Sequence, residues 1–420
     1  MAPILVGVSL ICGLAGMRKV VINLALIAVL IYSSQPLWAQ QRPAPAETFA
    51  QVAARAEQAR GANRIEEAIE LYRKALSLQP RWAEGWWYLG TLLYERNAFA
   101  EAAAAFGQAT TLNPKVGTAW VMLGLCEFKL DRHNDALEHI QRGRRLGTSA
   151  DPQFRQVMLY HEGLLLLGKG EFEQAQETLG LLSHDGVENE ELTTALGLSV
   201  LRLRFSELLT GDETLRQLVS RAGRAAHLAA QKKFNEALDE YERLATDFPR
   251  APNVHYAYGR FLLTINHEDR AIAALQREIE NSPSHLPARL LIADTRLRLR
   301  DFAGGLPYAE EAVKLSPRLP LGHYLLGSLL LELGETARAI AELETAERLL
   351  PNEPKIYFAL GRAYARANRK ADAERARAIF TRLNKQAAAK SGESEQMANP
   401  SDQAQPGRPQ GAAKDTKQKP

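Results

Sequence analysis

Six prolines keep a fixed interval along this chain: Pro80 and Pro114 lie 34 residues apart, and Pro249, Pro283, Pro317 and Pro351 follow one another at the same 34. A residue that cannot continue a helix, recurring at constant spacing, marks the end of a structural unit repeated in tandem. Each unit then packs only on its neighbours, so the 420 residues need not divide into ordinary domains. Ala and Leu crowd nearly every segment and only 7% of residues are aromatic, a bias that favours helix over strand.

Between the prolines a second pattern repeats. Trp86, Leu89, Gly90, Leu93, Ala102, Phe106 and Pro114 fill the slots W-x2-L-G-x2-Y, A-x3-F and P, and Trp120, Leu123, Gly124, Ala136 and Ile140 fill the next copy. His323, Leu326, Gly327, Leu330, Ala339, Leu343 and Pro351 do so again, followed by Tyr357, Leu360, Gly361, Tyr364 and Ala373. Partial copies hold Ala68, Tyr72, Ala75 and Pro80, then Gly163, Ala175 and Leu179, then Ala225, Ala237, Tyr241 and Pro249, then Tyr258, Gly259, Ala271 and Pro283. The first four slots fall at i, i+3, i+4 and i+7, one face of a helix, and the small residue lets a partner helix approach closely. This pattern resembles the tetratricopeptide-repeat family over about residues 48–383. The resemblance implies an all-α, right-handed superhelical solenoid of antiparallel helix pairs.

Two places depart from the pattern. Arg289 and Arg296 stand in aromatic slots, Gly305 replaces the packing Ala, and Pro307 falls near the start of a second helix, which makes residues 286–317 the weakest repeat. Residues 184–217 match poorly: Leu192 to Leu209 reads as one helix, Gly211-Asp212 breaks it, and no recognisable second helix follows. The array is expected to bend or split there, with low protection against hydrogen exchange. The expected organisation is a leader (1–39), a linker (40–47), a first block of repeats (48–183), an irregular helical segment (184–217), a second block (218–384) and a disordered tail (385–420), which lacks core-forming residues after 386.

The leader reads as an export signal. Met17-Arg18-Lys19 is a basic start, Val20 to Tyr32 is apolar except for Asn23, and Leu37-Trp38-Ala39 offers a cleavage site. Residues 1–16 fit badly upstream, so Met17 is the expected start. Ser9-Leu10-Ile11 before Cys12 lacks the small residue of a lipobox, which argues against lipidation. The expected location is periplasmic or secreted, as in an exported bacterial protein, and the competing reading is an uncleaved anchor in the inner membrane.

Chemistry has few handles. Gly163 to Lys169 imitates a phosphate loop, but four leucines fill it and Gly170 replaces the hydroxyl residue that would meet magnesium. His133 and His139 are six apart and fall on different helix faces, and no H-E-x-x-H or G-x-S-x-G occurs. No catalytic residue, cofactor site or metal site is therefore assigned, and Cys126 reads as a small core residue. A formal net charge of +3 leaves no footprint for nucleic acid, and the clusters Arg142-Arg144-Arg145 and Arg296-Arg298-Arg300 read as solvated helix faces.

Proteins that this chain resembles commonly bind peptides through first-helix residues one position after the core slots, turned by about 100°. Carried over, these are Trp87, Thr91, Tyr94, Val121, Leu125 and Phe128 in the first block, and Tyr256, Arg260, Leu290, Asp294, Arg298, Tyr324, Ser328, Phe358, Arg362 and Arg366 in the second. The lysine and asparagine clamp of chaperone-tail-binding members is missing. Aromatics mixed with arginine suit extended partner segments bearing acidic or aromatic side chains. The expected function is thus a non-catalytic scaffold of the cell envelope that binds other proteins or peptide segments. The alternative is an accessory solenoid of an envelope peptidase or transferase.

Overall fold

In the computed structural model, which describes residues 47–208 and 212–398, each of the six spaced prolines falls two residues beyond the end of a helix. A second register accompanies them. Asn63, Asn97 and Asp131, then Lys232, Asn266, Arg300, Gly334 and Asn368, all at intervals of 34, adopt positive φ at the turn joining the two helices of a pair. There the next amide bonds five residues back, as in Ala98 to Leu93 and His267 to Leu262, both at 2.9 Å, which satisfies an orphan carbonyl and reverses the chain.

The regular secondary structure of the described residues is all helical, with twenty helices, and the chain divides into two units. The first unit ends at Arg81 and contains α1 (Phe49–Gly61) and α2 (Ile65–Leu78). Thr48 starts α1 through a capping box with Gln51. The second unit begins at Trp82 and stacks the pairs α3 (Ala83–Glu95) with α4 (Phe99–Leu112), α5 (Gly117–Lys129) with α6 (His133–Leu146), and α7 (Pro152–Lys169) with α8 (Phe172–His184). After α9 (Glu190–Val200) and the short α10 (Phe205–Leu208), it resumes with α11 (Glu213–Ala230) and α12 (Phe234–Asp247), α13 (Val254–Thr264) and α14 (Glu268–Asn281), and α15 (Leu286–Arg298) and α16 (Phe302–Leu315). The last pairs are α17 (Pro320–Glu332) with α18 (Thr336–Leu349) and α19 (Pro354–Arg366) with α20 (Lys370–Ala398). The architecture is a solenoid of antiparallel helix pairs.

Residues 184–217 depart from the reading above. The helix expected over 192–209 stops at Val200, because Arg202 takes φ +56° and Leu203 N bonds back to Leu198 O at 2.9 Å. That is how first helices end elsewhere in the array. The second helix is reduced to α10, and α11 packs against α9 in its place while also pairing with α12. Asp212, read as part of a break, caps α11 through Thr214 N at 2.9 Å. Nor does the core split there: one hydrophobic cluster runs from Val121 through Leu192, Leu196 and Leu198 to Phe261. From Leu192 to Val200 only Thr193 and Thr194 are not fully buried.

In the weak repeat, Arg289 is buried in its aromatic slot and keeps its charge paired with Glu311 Oε2 at 2.6 Å, while Pro307 sits inside α16 on an exposed position. Helix α20 continues to Ala398, past the expected tail boundary at 385, since Ala, Lys, Gln and Glu are strong helix formers. The leader, the linker up to Ala46 and tail residues 399–420 lie outside the described residues.

Candidate functional site

A trough of about 650 Å³ lies where α8, α9, α11 and α13 converge. Its floor is apolar, with Leu181, Leu196, Val200, Ala226, Ala230 and Phe261, and its rim carries Glu173, Glu177, His184, Lys232 and Arg260. Small residues on α11 keep that wall low and open the space. Because α9 has no full partner of its own, α8 and α13 are brought close enough to bond directly. Tyr256 Oη donates to Glu173 Oε1 at 3.1 Å across 83 residues, and Arg260 Nη1 donates to Gln176 Oε1 at 2.8 Å across 84. Arg202, from the turn after α9, also pairs with Glu173 and lies over the Tyr256 ring. His227 Nδ1 meets Ser183 Oγ at 2.8 Å and fixes α11 to α8 beneath the trough.

Of the sixteen groove positions, Arg260 lines this trough and Tyr256 joins its walls through Glu173. Tyr256 is only 4% exposed, so its ring is core and its hydroxyl serves the clasp. Burial pushes its phenol up to about 12, which keeps it a donor to Glu173. Trp87 lies edge-on to Phe106 with centroids 5.4 Å apart and lines a separate cavity of about 400 Å³ with Tyr88, Val116 and Ser149. Tyr94 meets Phe99 edge-on at 5.4 Å, and Phe128 meets His161 edge-on at 4.8 Å. Val121 and Leu125, in the same slots, are core.

The remaining arginines are not free hooks. Arg298 bonds Asp294 at 3.2 Å within its own helix. Arg362 and Arg366 converge on Glu332 of α17, and Arg366 also bonds the Leu331 carbonyl. Tyr324 is half-buried, and burial raises its phenol. Phe358 is 54% exposed, with Phe380 5.5 Å away.

The expected chemical negatives have these structural settings. Gly163 to Lys169 lies inside α7, where its amides serve the helix. Burial pushes the Cys126 thiol up to about 12, away from thiolate reactivity. Among the described residues no group of three or more His, Cys, Asp or Glu is placed to hold a metal, and no helix is long and apolar enough to cross a membrane.

A family model described as tetratricopeptide repeat matches residues 223–285, 290–354 and 324–380. A second, described as anaphase-promoting complex, cyclosome, subunit 3, matches 61–143. Similar curated proteins include BBSome complex member BBS4 of Bos taurus, 23% identical over 70% of this chain and 56% of that protein. Anaphase-promoting complex subunit 3 of Schizosaccharomyces pombe is 26% identical over 32% of this chain and 22% of its own length. Protein O-mannosyl-transferase TMTC3 of Homo sapiens is 24% identical over 70% of this chain and 29% of its own length. The chain thus spans about half the length of BBS4 and less of the other two. Solved structures of MamA are also similar: the RS-1 ArsTM double mutant has a TM-score of 0.39 at 20% identity, covering 41% of this chain and 97% of that one. MamA 41-end from Desulfovibrio magneticus RS-1 has 0.37 at 22%, covering 41% and 96%. With helix pairs in a 34-residue register and a tetratricopeptide-repeat model matching three stretches between residues 223 and 380, the chain is a tetratricopeptide-repeat protein.

Proposed function

We propose that this protein is a non-catalytic scaffold that holds an extended segment of a partner protein in the trough between α8 and α13. The carrying observation is the trough itself, an apolar floor inside a charged rim, a combination that buries a partner's apolar side chains while the rim sets its register. The two walls are clasped by Tyr256, Glu173 and Arg202, so the site is preorganised and little ordering cost falls on binding. With a photo-crosslinking amino acid at Gln176, irradiation is expected to give one adduct of discrete size, and none with the same group at exposed Glu138 on α6. Equal labelling at both positions, or none at either, rejects the trough.

The proposed setting is the cell envelope, and its support is the order of basic, apolar and small residues over Met17 to Ala39. Sequencing the amino terminus of the mature protein should then read from Gln40. An intact leader recovered with the membrane fraction would instead favour anchoring.

A further inference from the structure

In most first helices the residue before the motif glycine is leucine, as at Leu89, Leu123, Leu326 and Leu360, all buried. In α7 the same slot holds Glu162, whose side chain is 0% exposed. Neither of its carboxylate oxygens receives a hydrogen bond. The nearest cation is Arg144 Nη1 on α6 at 3.4 Å, and that side chain is 41% exposed. Burial pushes the Glu162 carboxyl above the ordinary carboxylate range, against the weaker pull of Arg144, the Gln141 side chain and Arg145. A leucine slot has thus been given to a buried carboxylate whose desolvation the neighbouring cations only partly offset.

Beside Glu162 lies a second cavity, about 300 Å³, that shares Gln174, Glu177 and Leu181 with the trough. It is a side pocket of the partner site. Leu166 and Leu181 line it with apolar surface, Glu162 and Glu177 supply carboxylate acceptors, Gln141, Gln174 and Thr178 supply both donors and acceptors, and Arg144 supplies a guanidinium. Two carboxylates against one arginine disfavour an anionic occupant.

We infer that this side pocket receives a basic side chain, a lysine ammonium or an arginine guanidinium, of the segment held in the trough. The inference rests on the trough reading. The aliphatic stem lies along Leu166 and Leu181, and the charged head gives Glu162 and Glu177 the charge-assisted hydrogen bonds that the folded chain does not provide.

The probes are two blocked tripeptides, leucine-arginine-leucine and its neutral citrulline counterpart, titrated by NMR into the full chain. The arginine peptide should bind about tenfold more tightly, as one charge-assisted contact allows. In Glu162→Gln, and separately in Glu177→Gln, that preference should fall toward unity without a lower melting temperature. Equal binding of both peptides by the unaltered protein, or a preference kept in Glu162→Gln, overturns the side pocket and leaves the trough standing. Failure of both peptides to bind, together with an unlabelled trough in the crosslinking experiment, overturns both.

Discussion

Alanine at Gly197 or at Gly223 is expected to destabilise the second unit by about 3 kcal/mol or more, at the upper end of overpacking effects. A Cβ at Gly197 would stand 2.0 Å from the Val219 carbonyl oxygen, and one at Gly223 would stand 1.9 Å from that of Thr193. Both obstacles are backbone, so relief requires moving α9 away from α11. That movement would open the cluster in which Leu192, Leu196 and Leu198 are buried. Gly107 in α4 is the control: nothing lies within 4 Å of its added Cβ, and alanine there should gain about 0.5–1 kcal/mol from helix propensity. Urea unfolding reads all three variants, and amide exchange over residues 192–200 locates the damage. Equal stability of the Gly197 and Gly107 variants would mean that α9 and α11 do not meet backbone to backbone at Gly197.

Glu162→Leu is expected to stabilise the protein by about 1–4 kcal/mol at neutral pH, as seen when buried charges give way to packed apolar side chains. The pH dependence has a definite sign. The folded-state pKa of Glu162 is raised, so the native state holds a proton that the unfolded chain releases more readily. The wild-type protein therefore gains stability as pH falls through the folded value, and the gain is complete below the unfolded one. Leucine has no such dependence, so the gap between the two proteins should narrow on acidification. Thermal unfolding at pH 8 and pH 5 tests this, and a leucine variant that is less stable, or a gap that widens, refutes it. A stabilised variant that has lost its preference for arginine would mark Glu162 as a residue serving binding rather than folding.

Much of the fold was legible because its signals are local and periodic. Pro114 and Phe106 set the helix ends and core of one repeat, and their counterparts 34 residues on do the same. The positive-φ positions Asn63, Asn97, Asn266 and Asn368 also carry a local signal, since asparagine tolerates that conformation. Glu162 carried a signal as well, a carboxylate written where most repeats have leucine. Its burial and its lack of a hydrogen bond could come only from packing.

The groove was harder to read. Slot arithmetic places Arg362 and Arg366 on α19, but it does not show that both are already paired with Glu332 of the preceding repeat. The trough depends on contacts across 83 and 84 residues, more than two repeats, whereas a 34-residue period specifies only which helix follows which. The amino-acid order determined the helix pairs, their turns and their core faces, because each depends on residues a few positions apart. The missing full second helix after α9 was legible too, but only the tertiary structure decided that α9 would borrow α11 through two glycine contacts and draw α8 toward α13. That outcome depends on how closely two backbones can approach, which is a property of the packed helices rather than of any one segment.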